Sequence, residues 1–252
     1  MALEQSQQAC GHHHRSWVLV HGAFMGSWVF DRVARELRAQ GDTVVQVNLP
    51  AHGNDPLPSG SATLQSYVDR VSEAVHSVPR PVQLVGHSLA GVVITQYAEQ
   101  EPSTVENLVY FAALVPADGQ SALDLALQDA QSLLNANLSF DLTTGLASIP
   151  VSALGPVMCA DCNPHQVAQL QSRYRDEPLW AAATPVHVTA GNYGTVAKRY
   201  LFTAEDNAVS NYRQHEMAAT IPLVRTATLH TSHTPQLSRP GRFAEQLRNL
   251  VE

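Results

Sequence analysis

"VGHSLAG", residues 85–91, lies between an apolar run and a run with helical spacing, and the role of Ser88 decides what surrounds it. A nucleophile elbow reads G-x-S-x-G because strand and helix approach too closely there for side chains two residues either side of the serine. Gly86 satisfies the first position, whereas Ala90 stands at the second and glycine follows one place later at Gly91. One added methyl predicts a slightly wider turn with its function kept. The competing assignment is a serine that only caps a helix.

Working outward from this stretch, six runs are apolar and rich in β-branched residues: 16–22, 42–50, 81–88, 105–116, 197–206 and 223–233. Their apolarity is nearly continuous rather than alternating, which predicts strands covered on both faces, as in a parallel sheet. Between several of them, 28–40, 62–77, 90–101, 207–219 and 239–251 carry apolar residues at three- and four-residue spacing, the helical period. The alternation predicts a doubly wound, mostly parallel α/β sheet with its chemistry on loops at the C-terminal strand ends. Ser88 then sits in the strand–turn–helix context that an elbow requires.

Residues 119–185 break the rhythm with pieces such as "SALDLALQDAQSLLNANL" (121–138). An insertion this long between sheet strands is expected to be a helical lid over the strand ends. The expected organisation is a disordered leader over 1–15, a core of 16–118 plus 186–252, and a lid of 119–185.

Composition removes several classes of function. A net charge of −7 offers no basic footprint for nucleic acid, and no apolar run approaches the ~20 residues of a membrane span. The start has neither the basic nor the apolar region of a secretory signal, which leads to a cytoplasmic expectation. His12, His13 and His14 receive no role. Three cysteines, Cys10, Cys159 and Cys162, are an odd count, so "CADC" (159–162) is expected to hold two buried or loop thiols without a function.

A serine hydroxyl becomes a nucleophile when a base takes its proton, and an acid must orient that base. With an elbow, acid and then base follow the serine along the chain. His233, on a loop after the last strand run, is the expected base; His230 is still on the strand, His165 and His187 lie in or beside the insertion, and His215 is in a helical run. Asp206 starts the loop after "LFTAE" and is preferred over Glu205 as the acid, with Asp118 in reserve. A developing oxyanion needs backbone N–H donors from the residue after the serine and from the loop after the first strand, here Leu89 and Ala23. His21 is expected to brace that loop by hydrogen bonds.

With these pieces assembled, "VLVHGAFMGSW", "NLPAHG", "LVGHSLAG", "FAALVPADG", "LFTAEDNAVS" and "TSHTPQLSRP" span residues 18–240. As a set the chain resembles the α/β-hydrolase superfamily, and within it plant methylesterases, hydroxynitrile lyases and related bacterial esterases. The resemblance implies Ser88 as nucleophile, Asp206 as acid, His233 as base, and Ala23 and Leu89 as oxyanion donors. It also implies a helical lid after "FAALVPADG". A lyase resembling the known ones would carry threonine at Gly22 and lysine at Thr234, so hydrolysis is the expected reaction.

The expected substrate is a neutral, small-to-medium carboxylic ester, with no metal and no cofactor, since serine acyl transfer uses the protein's own groups and water. Lactone or thioester hydrolysis and acyl transfer are the alternatives, and a non-catalytic binding module is the reading of another class. Phe24, Trp28 and Trp180 are expected as aromatic pocket walls, with Leu134 and Leu138 among the lid leucines Leu123, Leu125, Leu127 and Leu133. The expected partner is the small-molecule ester, with a homodimer admitted and neither nucleic acid nor membrane.

Overall fold

β-branched and apolar runs alternate with amphipathic ones through most of the chain, and the computed structural model, which describes residues 14–252, turns each into a strand or a helix. In chain order these are β1 (Ser16–Val20), α1 (Asp31–Ala39), β2 (Thr43–Val47), α2 (Leu64–His76), β3 (Val82–His87), α3 (Ala90–Gln100) and β4 (Val105–Phe111). The inserted segment carries α4 (Ala122–Leu127), β5 (Ser139–Asp141), β6 (Leu146–Ser148), α5 (Leu154–Met158), α6 (Pro164–Ser172), β7 (Glu177–Pro178) and α7 (Leu179–Ala183). The alternation resumes with β8 (Ala197–Thr203), α8 (Asn211–Ala218), β9 (Arg225–Leu229), α9 (Pro235–Ser238) and α10 (Pro240–Val251).

The main sheet runs β2-β1-β3-β4-β8-β9, and every pair in it is parallel. β1 and β3 are buried at every position, which is why no polar alternation marks them in the sequence. The chain steps from β1 outward to β2 and then back across to β3. Right-handed crossovers therefore put α1 and α2 on opposite faces, α1 packing with α10 and α2 with α3. The reversal opens a crevice at the C-terminal ends of β1 and β3, where such sheets bind ligands.

The strands stop short of the apolar runs because the chain leaves the sheet abruptly. Phe24, Ala51, Ser88 and Ala112, which follow β1, β2, β3 and β4, all have positive φ, between 46° and 66°. A non-glycine residue costs about 1–3 kcal/mol in such a conformation, and the four cluster at one end of the sheet.

The insertion departs from the expected all-helical lid. It contains a three-stranded antiparallel sheet, β5-β6-β7, with Phe140 opposite Ala147 and Leu146 opposite Pro178. The helix expected across 121–138 ends at Leu127. Asp129 accepts from the backbone and hydroxyl of Ser210 (2.7 and 2.8 Å), Ser132 donates to the Ala208 carbonyl, and Asn135 donates to the carbonyls of Ala126 and Asp129. Those side chains give the backbone partners that compete with helix continuation.

Two further differences concern the cysteines and the leader. Cys159 and Cys162 are joined as a disulfide, not held as free thiols, because the end of α5 turns back so that Cys162 N–H donates to the Cys159 carbonyl at 3.0 Å. Cys10, His12 and His13 lie outside the described residues, as does the expected leader up to residue 13. Arg15 is tied down, its N–H donating to Asp42 Oδ1 at 3.1 Å. No helix among the described residues is long and apolar enough to cross a membrane.

Candidate active site

β3 delivers Ser88 into the crevice on a left-handed turn (φ 55°). The turn is held from both sides: Ser88 N–H donates to the Phe111 carbonyl at 3.3 Å, and the Ser88 carbonyl accepts from Gly91 at 3.0 Å and Leu114 at 3.1 Å. Ala90, fully buried, fits where the pattern expects glycine. The position with no room is Gly91, where a Cβ would run into the Leu114 carbonyl oxygen. The close approach is displaced by one residue. On β1's side, a Cβ at Gly22 would lie 2.8 Å from Ser88 Cβ and 3.0 Å from His87 Nδ1.

The loops after β8 and β9 bring Asp206 to His233, Nδ1 to Oδ2, at 2.8 Å with both side chains buried. Asp206 is itself fixed by five groups. Its Oδ1 accepts the N–H groups of Ala208 and Val209 at 2.8 and 2.9 Å, and its Oδ2 also accepts from Thr203 Oγ1 and Gln214 Nε2. Behind the base, His87 Nε2–H donates to the His233 carbonyl at 2.9 Å and the two rings lie 4.6 Å apart. With its Nδ1 committed to Asp206, His233 keeps Nε2 buried without a hydrogen-bond partner among the described residues.

Ala23 and Leu89 join Ser88 around one cavity. Neither the Ala23 nor the Leu89 N–H meets an acceptor among the described residues, which leaves two donors near the serine. His21, fully buried, hydrogen-bonds the Gly22 carbonyl through Nδ1 at 2.8 Å and accepts Leu49 N–H at Nε2. That pattern belongs to a neutral imidazole. Burial, helped by the charge on His52, lowers its pKa to about 3.

A second buried network stands beside the loop after β1, and the sequence pattern did not mark it. Glu177, on β7, accepts from His52 Nε2 at 2.9 Å, from Tyr67 Oη at 2.9 Å and from Phe24 N–H at 3.4 Å. Burial alone would lower the His52 pKa, but the Glu177 carboxylate outweighs it and the pKa is raised. Arg175 N–H donates to the Phe24 carbonyl at 3.2 Å, so residues 175–177 of the insertion hold both the N–H and the carbonyl of Phe24. In the sequence Glu177 closes the charged stretch "RYRDE" (173–177), which reads as exposed and gives no sign of its burial.

The cavity above Ser88 measures about 60 Å³. Of the expected walls, Phe24, Leu134 and Leu138 line it, as does Leu123, and Glu177 closes one side. Two aromatic residues need correction. Trp28 sits under the Arg173 guanidinium in a separate cleft with Asn48 and Arg175, because the short 3-10 turn at Ser27–Phe30 carries it away from the cavity over Ser88. Trp180 is 52% exposed on the outer face of α7, while Leu179 and Ala182 on its inner face line the cavity. Leu127 and Leu133 also face solvent, and Leu125 packs into the core. Asp118 is exposed and pairs with His187, and Glu205 and His230 are exposed; none of them joins the site. His165 and His215 are exposed as well, the latter stacked on Phe202.

Comparison with known proteins agrees with this fold. The Alpha/beta hydrolase family model matches residues 17–246. The chain is 28% identical over 247 residues to "Putative methylesterase 11, chloroplastic" of Arabidopsis thaliana, covering 93% of this chain and 63% of that protein. It spans similarly partial lengths, 54% and 57%, of putative methylesterases 13 and 15 of that plant. To "Methylesterase 7" of Arabidopsis thaliana it is 26% identical, over 94% of this chain and 96% of that one. Among solved structures, polyneuridine aldehyde esterase superposes with a TM-score of 0.80 at 21% identity, covering 95% of this chain and 100% of that chain. A mutant of tomato methylketone synthase I superposes with a TM-score of 0.84 at 20% identity, covering 94% and 97%. These superpositions show a shared fold, and the match across residues 17–246 means that the chain belongs to the alpha/beta hydrolase family.

Proposed function

We propose that this chain hydrolyses a neutral, small-to-medium carboxylic ester through an acyl-enzyme on Ser88. The observation that carries the reading is the buried 2.8 Å Asp206–His233 contact, which leaves Nε2 of the imidazole unpartnered while Ser88 stands on its strained turn. His233 Nε2 takes the Ser88 proton as Oγ attacks the ester carbonyl carbon, and Asp206 holds the ring and stabilises the imidazolium. Ala23 and Leu89 N–H donate to the oxyanion. Collapse of the tetrahedral intermediate expels the alcohol with the proton from Nε2. A water molecule then attacks the acyl carbon, giving its proton to Nε2, and the acid leaves as Ser88 is restored.

The substrate class follows from the walls. Leu123, Leu134, Leu138 and Leu179 give an apolar cavity of about 60 Å³, suited to an uncharged acyl or alkoxy group of modest size. The names of the methylesterase relatives agree with a small alkoxy leaving group. Cyanohydrin cleavage fits poorly. A threonine at Gly22 would press on Ser88 Cβ, and Thr234, fully buried with its hydroxyl bound to the Met158 carbonyl, offers no cation. The decisive experiment is fluorophosphonate labelling with a panel of p-nitrophenyl esters, lactones and acyl thioesters, run on the native enzyme and on Ser88→Ala. Labelling and ester turnover should both vanish in the variant; labelling that persists in Ser88→Ala removes the reading.

A further inference from the structure

α5 and the turn that follows it touch the loops of both groups that serve Ser88. The Pro156 carbonyl accepts from Asn207 Nδ2 at 2.9 Å, next to Asp206. The Met158 carbonyl accepts from Thr234 Oγ1 at 2.8 Å, just after His233. Asp161 Oδ1 accepts the hydroxyl of Ser232, just before His233. Ser232, His233 and Thr234 are all at most 1% exposed, and the Met158–Thr234 bond is buried, so it cannot be exchanged for solvent at no cost.

Three residues, Pro156 and Met158 through their carbonyls and Asp161 through its side chain, would be a weak brace if the chain were free to move. α5 has only five residues, too few to hold itself by its own hydrogen bonds. What closes the brace is the Cys159–Cys162 disulfide, which makes a four-residue ring containing Asp161. Cys159 is 1% exposed and packed in the core, so the ring is anchored inward while Cys162 is partly open to solvent. The other oxygen of Asp161, Oδ2, is buried without a partner, so the carboxylate gains by turning outward once the ring opens.

We infer that Asp161 and the Cys159–Cys162 ring form a redox-sensitive clasp that positions His233 and Asp206, so that opening the disulfide lowers turnover while leaving substrate binding in place. The inference rests on the Ser88–His233–Asp206 reading. Asp161 touches no substrate; it acts through Ser232 and is a positioning residue. The co-reactant is a dithiol. Its thiolate attacks the accessible Cys162 Sγ, the Sγ–Sγ bond breaks, and Cys159 leaves as thiolate and takes a proton. The second thiol of the reagent then displaces Cys162 and closes the reagent's own disulfide, so two electrons and two protons pass to the protein and the dithiol is oxidised.

The test uses the full chain carrying Cys10→Ser, assayed after oxidation, after reduction with dithiothreitol, and after reoxidation, with the thiol state read by intact mass. Reduction should lower kcat roughly tenfold with KM within about twofold, as expected for a small misplacement of a base, and reoxidation should restore it. The variant that also carries Cys159→Ser and Cys162→Ser should match the reduced rate and ignore dithiothreitol. Asp161→Ala should lower kcat and abolish the redox response, whereas Asp161→Asn, which keeps an acceptor for Ser232, should retain most of the oxidised rate. Full reduction with unchanged kcat overturns the clasp, and so does an effect confined to KM. Should the cysteine variants fail to fold, the chemically reduced arm decides alone. If Ser88→Ala retains turnover, the failure lies with the underlying hydrolase reading; if Ser88→Ala is dead and reduction is silent, it lies with the clasp.

Discussion

Glu177, on the inserted segment, and His52, on the loop after β2, meet at 2.9 Å with side chains 3% and 0% exposed, and this buried pair connects the insertion to the core beside the loop after β1. Both ring nitrogens of His52 face acceptors, Glu177 Oε2 and the Pro50 carbonyl, which is the pattern of an imidazolium. Removing one partner of a buried pair leaves an uncompensated charge, at a cost of about 3–5 kcal/mol. Glu177→Ala should therefore lose about that much stability in urea unfolding and should also lower kcat/KM, because Phe24 N–H loses its acceptor. A loss under 1 kcal/mol would mean that solvent already screens the pair.

Acid should destabilise the fold through His21. The unfolded chain binds that proton near pH 6.5, the folded chain only near about 3, so stability falls as pH drops through this window, by up to about 1.4 kcal/mol per unit. His87, whose pKa burial and His233 lower well below the ordinary value, acts in the same direction. His52 acts oppositely: its raised pKa keeps its contribution in full below 6.5 and loses it as pH rises through the folded value. Denaturant titrations from pH 7 to 4 on the native protein and His21→Gln should show a shallower decline in the variant. Parallel curves would reject the assignment.

Asp206→Asn should cost about four orders of magnitude in kcat, since it presents the wrong hydrogen-bond polarity to His233 Nδ1. The five groups that hold Asp206 leave the fold intact, so the far-UV circular dichroism should not change. Asp118→Asn, at an exposed site paired with His187, should be silent. The reverse result would move the acid to Asp118.

Leu134 and Leu138 should set acyl preference. Both line the cavity over Ser88, and one methylene of contact in an apolar pocket is worth about 1–3 kcal/mol, roughly 10- to 200-fold in kcat/KM. Leu138→Phe should depress long-chain p-nitrophenyl esters far more than the acetate. Equal scaling across the series would place the leucines outside the acyl site.

The sheet was legible because its signal is local. β1 and β3 announce themselves by near-continuous apolarity, β9, with Arg225, Thr226 and Thr228 exposed, shows it least, and G-H-S between strand and helix states what the turn must do whatever packs around it. Asp206 and His233 could be chosen from their places after strand runs, since a parallel sheet gathers its C-terminal loops at one edge. What tertiary structure alone decided has no local signature. Trp28 and Trp180 look like pocket walls in the sequence, and each faces away because burial depends on which side of a turn or a five-residue helix meets the core. The helical pattern of 121–138 yields to Asp129, Ser132 and Asn135, whose partners lie on distant residues such as Ala208 and Ser210. Glu177 with His52, 125 residues apart, and Asp161 with Ser232, 71 apart, become neighbours only when the insertion folds onto the sheet. The local pattern thus determined the scaffold and the serine on its turn, and long-range packing determined the pocket walls, the buried ion pair and the Asp161–Ser232 contact, because a side chain's hydrogen-bond partner is set by distance in space and not along the chain.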